Sequence, residues 1–142
     1  MRQVDDVAAV IERLEVIKTH PVPNYFGPQR FGFHGNNLNW ANRMAAGESI
    51  RDKKIKGFAL SAARSFLFNQ VVSERIKQNY FSQTMLGEVY ILAGSQSYFS
   101  EPMNEEITTR LNTGDIQLSA PLFGKGEPIV SEQLQCRVAH VE

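Results

Sequence analysis

From Asp5 to about Lys18 the apolar side chains Val7, Val10, Ile11, Leu14 and Ile17 recur at steps of three and four, which places them on one face of a helix. Asp5 or Asp6 can cap its start. The segment His20-Pro21-Val22-Pro23 ends it, because a residue ahead of proline is pushed out of the helical region. The period then disappears until Asn37, which reads as the cap of a short helix, Leu38 to about Ala46, closed by Gly47. After the basic run Arg51-Asp52-Lys53-Lys54-Ile55-Lys56 and Gly57, a long helix is predicted from near Ala59 to about Gln78. It carries Leu60, Ala63, Leu67 and Val71 on one face, with Phe66 and Ile76 beside it. Beyond Asn79 the pattern changes: residues 87–94 read as a strand between glycines, Asn104 to Leu111 as a helix and Ile116 to Ala120 as a short strand. Residues 121–128, rich in Pro and Gly, read as a loop. No internal repeat or low-complexity segment is visible.

A chain of 142 residues has room for one ordinary domain, or one compact lobe plus part of another. Its 42% apolar and 21% charged residues are those of a globular protein, and no apolar run approaches the length of a membrane span. The N-terminus leads into an amphipathic stretch with acidic residues rather than the apolar run of a signal peptide, so a cytoplasmic location is expected. Zero net charge conceals an asymmetry. Residues 1–80 hold 12 Lys and Arg against 7 Asp and Glu, whereas residues 81–142 hold 3 against 8. An anionic partner would therefore meet the first half, although the two halves can equally attract each other. The change of charge sign coincides with the change of pattern, and a lobe boundary is expected near residue 79.

The aperiodic segment Asn24-Tyr25-Phe26-Gly27-Pro28-Gln29-Arg30-Phe31-Gly32 is the densest in candidate chemistry. Asn24 and Gln29 can read hydrogen-bonding edges, Tyr25, Phe26 and Phe31 offer stacking faces, and Arg30 can meet a phosphate or carboxylate. Gly27 and Gly32 can take backbone angles closed to other residues, and Pro28 stiffens the turn. A nucleotide would use all of these groups. On the residues alone, the aromatics can instead pin a connection to the core while Arg30 makes a surface ion pair. On the long helix, Ser61 and Ser65 lie four apart and Asn69 one turn further, so their polar groups line one side, where they can bond the loop or a ligand. Simple helix packing through small side chains is the alternative there.

Other chemistry finds little support. Gly32-Phe33-His34-Gly35 has the GxxG form by which some RNA-binding modules clamp backbone, but it lacks their flanking pattern and a basic pair inside. His20, His34 and His140 have no carboxylate or cysteine at ligand spacing, so no metal is expected. The lone Cys136 has no partner for a disulfide, and no serine-hydrolase motif is present.

Asn24 to Gly32 resembles the NxxGxQRFG motif of the TruD family, the tRNA pseudouridine synthases D. Leu60-Ser61-Ala62-Ala63-Arg64-Ser65-Phe66-Leu67-Phe68-Asn69 resembles that family's LSAxRSxxFN helix, and Leu92-Ala93-Gly94 look like the start of the domain inserted in its catalytic domain. The resemblance implies an α+β fold: residues 1–79 as part of the catalytic domain, helix-rich, and residues 80–142 as part of the α/β insertion domain. It implies isomerisation of uridine, position 13, to pseudouridine in tRNA, with no cofactor, no metal and no membrane, by an enzyme expected to be monomeric when complete. Asn24 would then hydrogen-bond the target base or the nucleophile, and Phe26 would shape the pocket or stack in it. Gln29 and Arg30 would hold the loop and phosphates, with Phe31 also on the substrate side. Tyr25, Gly27, Gly32, Lys56, Ser61, Arg64, Ser65 and Asn69 would support the site. The family's nucleophilic aspartate lies in a separate upstream motif, a glycine followed shortly by Lys-Asp. The 23 residues before Asn24 contain no such motif, and Asp5, Asp6 and Asp52 are not expected to replace it. This chain is therefore expected to be an internal or truncated portion without a catalytic residue of its own, inactive alone. The alternatives are a non-catalytic RNA-binding module and a fragment without independent function.

Overall fold

The computed structural model describes residues 6–20, 22–120 and 122–124. Helix α1 (Val7–Thr19) starts at Asp6, whose carboxylate accepts from the Ala9 N–H at 3.0 Å, and stops at His20, which is extended ahead of Pro21. Its apolar residues Val7, Val10, Ile11, Leu14 and Ile17 are all exposed. The aperiodic segment is not featureless: Pro28–Phe31 forms a 3-10 turn opened by the proline, and Phe33–Gly35 forms a second tight turn in which His34 and Gly35 are left-handed.

Helix α2 (Asn36–Ala45) begins one residue before Asn37, behind a left-handed Gly35 that offers no side-chain cap. Asn37 is therefore not the cap that its position implied; its amide turns back to the preceding loop. Helix α3 (Lys53–Lys77) starts six residues earlier than the apolar period indicated. Asp52 caps it, accepting from the N–H groups of Lys54 at 2.7 Å and Ile55 at 3.1 Å, so the basic run is its first turn and Gly57 lies inside it. The covered face is also rotated from the one read in the sequence. Ala59, Ala62, Ser65, Val71 and Val72 are buried, while Leu60 is 49% exposed. α2 packs along α3, and small side chains on the covered face let the two backbones approach closely.

Beyond α3, strands β1 (Tyr90–Leu92), β2 (Tyr98–Phe99) and β3 (Ile116–Leu118) form an antiparallel sheet in the order β2-β1-β3, with Tyr90 opposite both Phe99 and Leu118. β1 occupies only the middle of the span between Gly87 and Gly94, and β3 ends before Ser119. Helix α4 (Glu105–Thr113), capped by Asn104 at 2.8 Å and closed by the left-handed Gly114, covers the sheet. Tyr90, Ile107 and Ile116 form a core there, with Leu92, Phe99, Leu111 and Leu118 against it. Helices followed by a small antiparallel sheet make the chain α+β. None of the described helices is long and apolar enough to cross a membrane. Cys136, His140 and much of the 121–128 loop lie outside the described residues.

The connection from α3 to the sheet is organised by one buried ion pair. Arg75, whose side chain is 10% exposed, meets Glu88, 2% exposed, through two bonds of 2.8 and 3.0 Å. The same guanidinium donates to the carbonyls of Tyr80 and Gln83, and Glu88 also accepts from the Met85 N–H. Both terminal nitrogens of Arg75 and both carboxylate oxygens of Glu88 are thus engaged with each other and with the segment they hold. Arg75→Ala is expected to lower stability by about 3–5 kcal/mol, because it leaves Glu88 buried and unpaired. Urea unfolding of the two chains checks this, with Arg75→Lys losing less. Burial, and then the charge of Glu88, push the Tyr90 hydroxyl above its ordinary value. The neutral phenol is thus favoured in the fold. This contribution is complete below the unfolded value of about 10 and is lost as pH rises through the folded one. Alkaline melting curves are expected to show that loss in the wild type and not in Tyr90→Phe.

Candidate functional site

Phe26 is held against α3 by both ends of one side-chain amide. Its N–H donates to Asn69 Oδ1 at 2.9 Å, and its carbonyl accepts from Asn69 Nδ2 at 3.0 Å. An extended residue has no helical partner for these groups, and the Asn69 amide replaces the strand that would otherwise pair with it. The Phe26 ring then meets Phe68 edge-on, with centroids 5.3 Å apart and planes at 74°. Tyr25 is pinned one turn further along α3, its hydroxyl 3.0 Å from Ser73 Oγ.

Arg30, carried by the 3-10 turn, lies over the Phe26 ring at 5.2 Å and donates to Ser61 Oγ at 3.2 Å. Its carbonyl accepts from Asn37 Nδ2 at 3.3 Å, which ties the start of α2 to the loop. Gly32 makes that tie possible. Its φ is +80°, and a Cβ there would stand 2.9 Å from Asn37 Cγ. Side chain and backbone angle both forbid a larger residue.

These contacts enclose a cleft of about 280 Å³ lined by Phe26, Gly27, Gln29, Arg30, Asn37, Phe58 and Ser61. Its size, at the small end of ligand clefts, suits a single base rather than an extended cofactor. The walls offer an aromatic face, a cation, two amides and a hydroxyl. The structure thus brings Phe26, Gln29, Arg30 and Ser61 together, with Gly27 between them and Asn69 behind.

Other residues singled out from the sequence lie elsewhere. Asn24 is exposed and does not line the cleft; Phe31 is half-buried outside it, and Lys56 is exposed on the first turns of α3. Ser65 is 3% exposed and packs within the helical layer, so it does not share an open face with Ser61. Arg64 donates from Nε to the Phe123 carbonyl and lies against Gly124. Asn37 and Phe58 are cleft residues that the sequence reading assigned to a helix cap and a connection. An earlier start for α3, signalled by Asp52 at capping position before Lys53, would have placed Phe58 one turn before Ser61.

Among the described residues, each aspartate is already engaged away from the cleft. Asp6 and Asp52 cap helices, and Asp115 accepts from Arg110 at 2.6 Å. No three His, Cys, Asp or Glu side chains cluster as a metal site would require among those residues.

The family model for tRNA pseudouridine synthase D (TruD) matches residues 42–140. The chain is 47% identical over 133 residues to the tRNA pseudouridine synthase D of Pseudoalteromonas translucida, an alignment covering 94% of this chain and 38% of that protein. It is 41% identical over 136 residues to the enzyme of the same name from Colwellia psychrerythraea, covering 95% and 37%. Against that of Aeromonas salmonicida it is 47% identical over 127 residues, covering 89% and 35%. The chain thus spans little more than a third of the length of these relatives.

Two substitutions test how the cleft is held. Asn69→Ala strands both polar groups of Phe26 and is expected to cost about 1–3 kcal/mol. Hydrogen exchange at the Phe26 amide should accelerate in that variant, which amide NMR reads directly. Gly32→Ala is expected to cost about 1–3 kcal/mol in the same urea titration, from the left-handed angle.

Proposed function

The chain belongs to the tRNA pseudouridine synthase D family, and from that premise we propose that it provides one wall of a uridine pocket for tRNA. The single observation that carries the reading is the cleft in which Phe26, Arg30, Gln29, Asn37 and Ser61 converge. A uridine nucleotide presents a flat ring, an imide edge with one donor and two acceptors, and a phosphate. The Phe26 ring matches the first and the amides of Gln29 and Asn37 the second. Arg30 spends one N–H on Ser61 and retains others for the third.

Conversion of uridine to pseudouridine breaks the bond from ribose C1′ to N1 and forms one from C1′ to C5. N1 gains a proton and C5 loses one, so the product is an isomer and no cofactor is consumed. The base must leave its stack and turn over within the pocket. In this reading Phe26 and Arg30 keep it flat against one wall while the amides fix its edge, and position 13 of tRNA is the uridine taken. In this reading the nucleophilic aspartate comes from outside this chain: among the described residues, Asp6 and Asp52 hold helix ends, and Asp115 holds Arg110. That occupation also favours the second reading, a module that binds tRNA without chemistry. Residues 1–79 would then be the catalytic-domain portion and residues 80–142 the insertion portion.

Binding of unmodified tRNA is expected to weaken with salt, and to weaken further by about tenfold in Arg30→Ala, as a lost phosphate or stacking contact implies. Gln29 is exposed, and Gln29→Ala should weaken binding without altering the melting temperature. Tritium release from tRNA labelled at uridine C5 is expected to stay at background with this chain alone. Equal affinity of wild type and both variants would refute the pocket. Tritium release would refute the assignment of the nucleophile to residues outside this chain.

A further inference from the structure

Phe33 is the most exposed large apolar side chain among the described residues, at 86%, and it sits where the backbone is most contorted. Gly32, His34 and Gly35 all have positive φ, of 80°, 51° and 74°. His34 is therefore left-handed without being a glycine, a conformation that costs energy and that an unconstrained sequence would relieve with Gly or Asn. The result of this turn is an aromatic step: the Phe33 and His34 rings meet edge-on with centroids 4.1 Å apart.

We propose that this step is a second stacking site, taking the nucleotide next to the uridine in the cleft. The proposal rests on the reading of the cleft as a uridine pocket. Position supports it first. Arg30 and Asn37, on either side of the step in sequence, both line the cleft, and Phe33 follows Arg30 by three residues, so their Cα atoms are at most about 11 Å apart. Rigidity supports it next. Gly35 N–H donates to the Gly32 carbonyl at 3.0 Å, Asn37 bonds the Arg30 carbonyl, and Gly32 lies flush against the Asn37 amide. The backbone that carries the ring is thus tied to the loop that lines the pocket.

Charge selects the partner. Residues 24–58 hold six Lys and Arg against two acidic residues. Both acids are engaged, Glu48 with Arg43 and Asp52 with the start of α3. Along the chain Phe33 is flanked by Gly32, His34, Gly35 and Asn36 rather than by an apolar run, which suits one stacked base better than a docked protein segment. A nucleotide displaced from its neighbour when the uridine leaves the stack needs such a surface. Aromatic stacking accepts any base, so the site adds affinity and position rather than sequence preference.

The test uses the full chain and tRNA transcripts in which 2-aminopurine replaces the nucleotide on the 5′ or the 3′ side of the target uridine. On binding, the wild type is expected to quench the probe on one side. Phe33→Ala should lose the quench and weaken binding by about tenfold. Phe33→Tyr should restore both, and the melting temperature should not change in either variant. Wild-type quench and affinity in Phe33→Ala, while Arg30→Ala binds weakly, would overturn this proposal and leave the pocket reading intact. A melting temperature lowered in Phe33→Ala with RNA binding unchanged would assign the ring to a protein contact and overturn it too. If Arg30→Ala also binds as wild type does, the pocket reading and this inference fall together.

Discussion

The side-chain amide of Asn69 is the contact on which the candidate site depends. A loop rich in aromatic and polar groups has no intrinsic reason to adopt one conformation, since its conformational entropy opposes ordering. Asn69 supplies a donor and an acceptor at the spacing of one peptide unit, and so fixes Phe26 as a strand partner would. Everything else in the cleft is referred to that fixed residue. Arg30 lies on its ring, Ser61 receives Arg30, and Asn37 takes the Arg30 carbonyl. α3 thus acts as a rail: Ser61, Asn69 and Ser73 each hold a different point of the segment that precedes α2.

Elements with a cap and a breaker were legible in the sequence. Asp6 and His20 bound α1, and α4 starts at Asn104 as read, because the groups that satisfy a helix end are local, although it runs past Leu111 to Thr113 before Gly114 closes it. α3 was placed six residues late because its first turn is basic and exposed, and hydrophobic period says nothing about such a turn. The Asp52 cap is a signal that outranked Gly57. The face of α3 was misjudged for a different reason. Its covered positions include the small Ala59, Ala62 and Ser65, and of the face read from the sequence only Val71 is buried, while the larger Leu60 is left outside. β2, two residues long, has no pattern of its own and exists through its pairing with β1.

The site was legible as chemistry rather than as geometry. Residue types between Asn24 and Gly32 pointed to a nucleotide, and the two motifs pointed to one family, which the match over residues 42–140 and relatives at 41–47% identity support. What spacing along the chain cannot convey is which of those side chains converge. Asn24 and Phe31 are outside the cleft, whereas Phe58 and Asn37 enter it from helices. The buried Arg75 and Glu88 pair shows the same limit, since nothing local announces that a helix-end arginine will organise a connection thirteen residues away.

The central claim is that RNA meets the wall built on Asn69 and the loop it holds. The most direct measurement is an amide NMR titration of the chain with unmodified tRNA at low salt. The largest shifts are predicted at Phe26, Gly27, Gln29, Arg30, Asn37 and Ser61, while the sheet core of Tyr90, Ile107 and Ile116 stays in place. Shifts centred on the sheet, or none in the cleft at saturating tRNA, would contradict it.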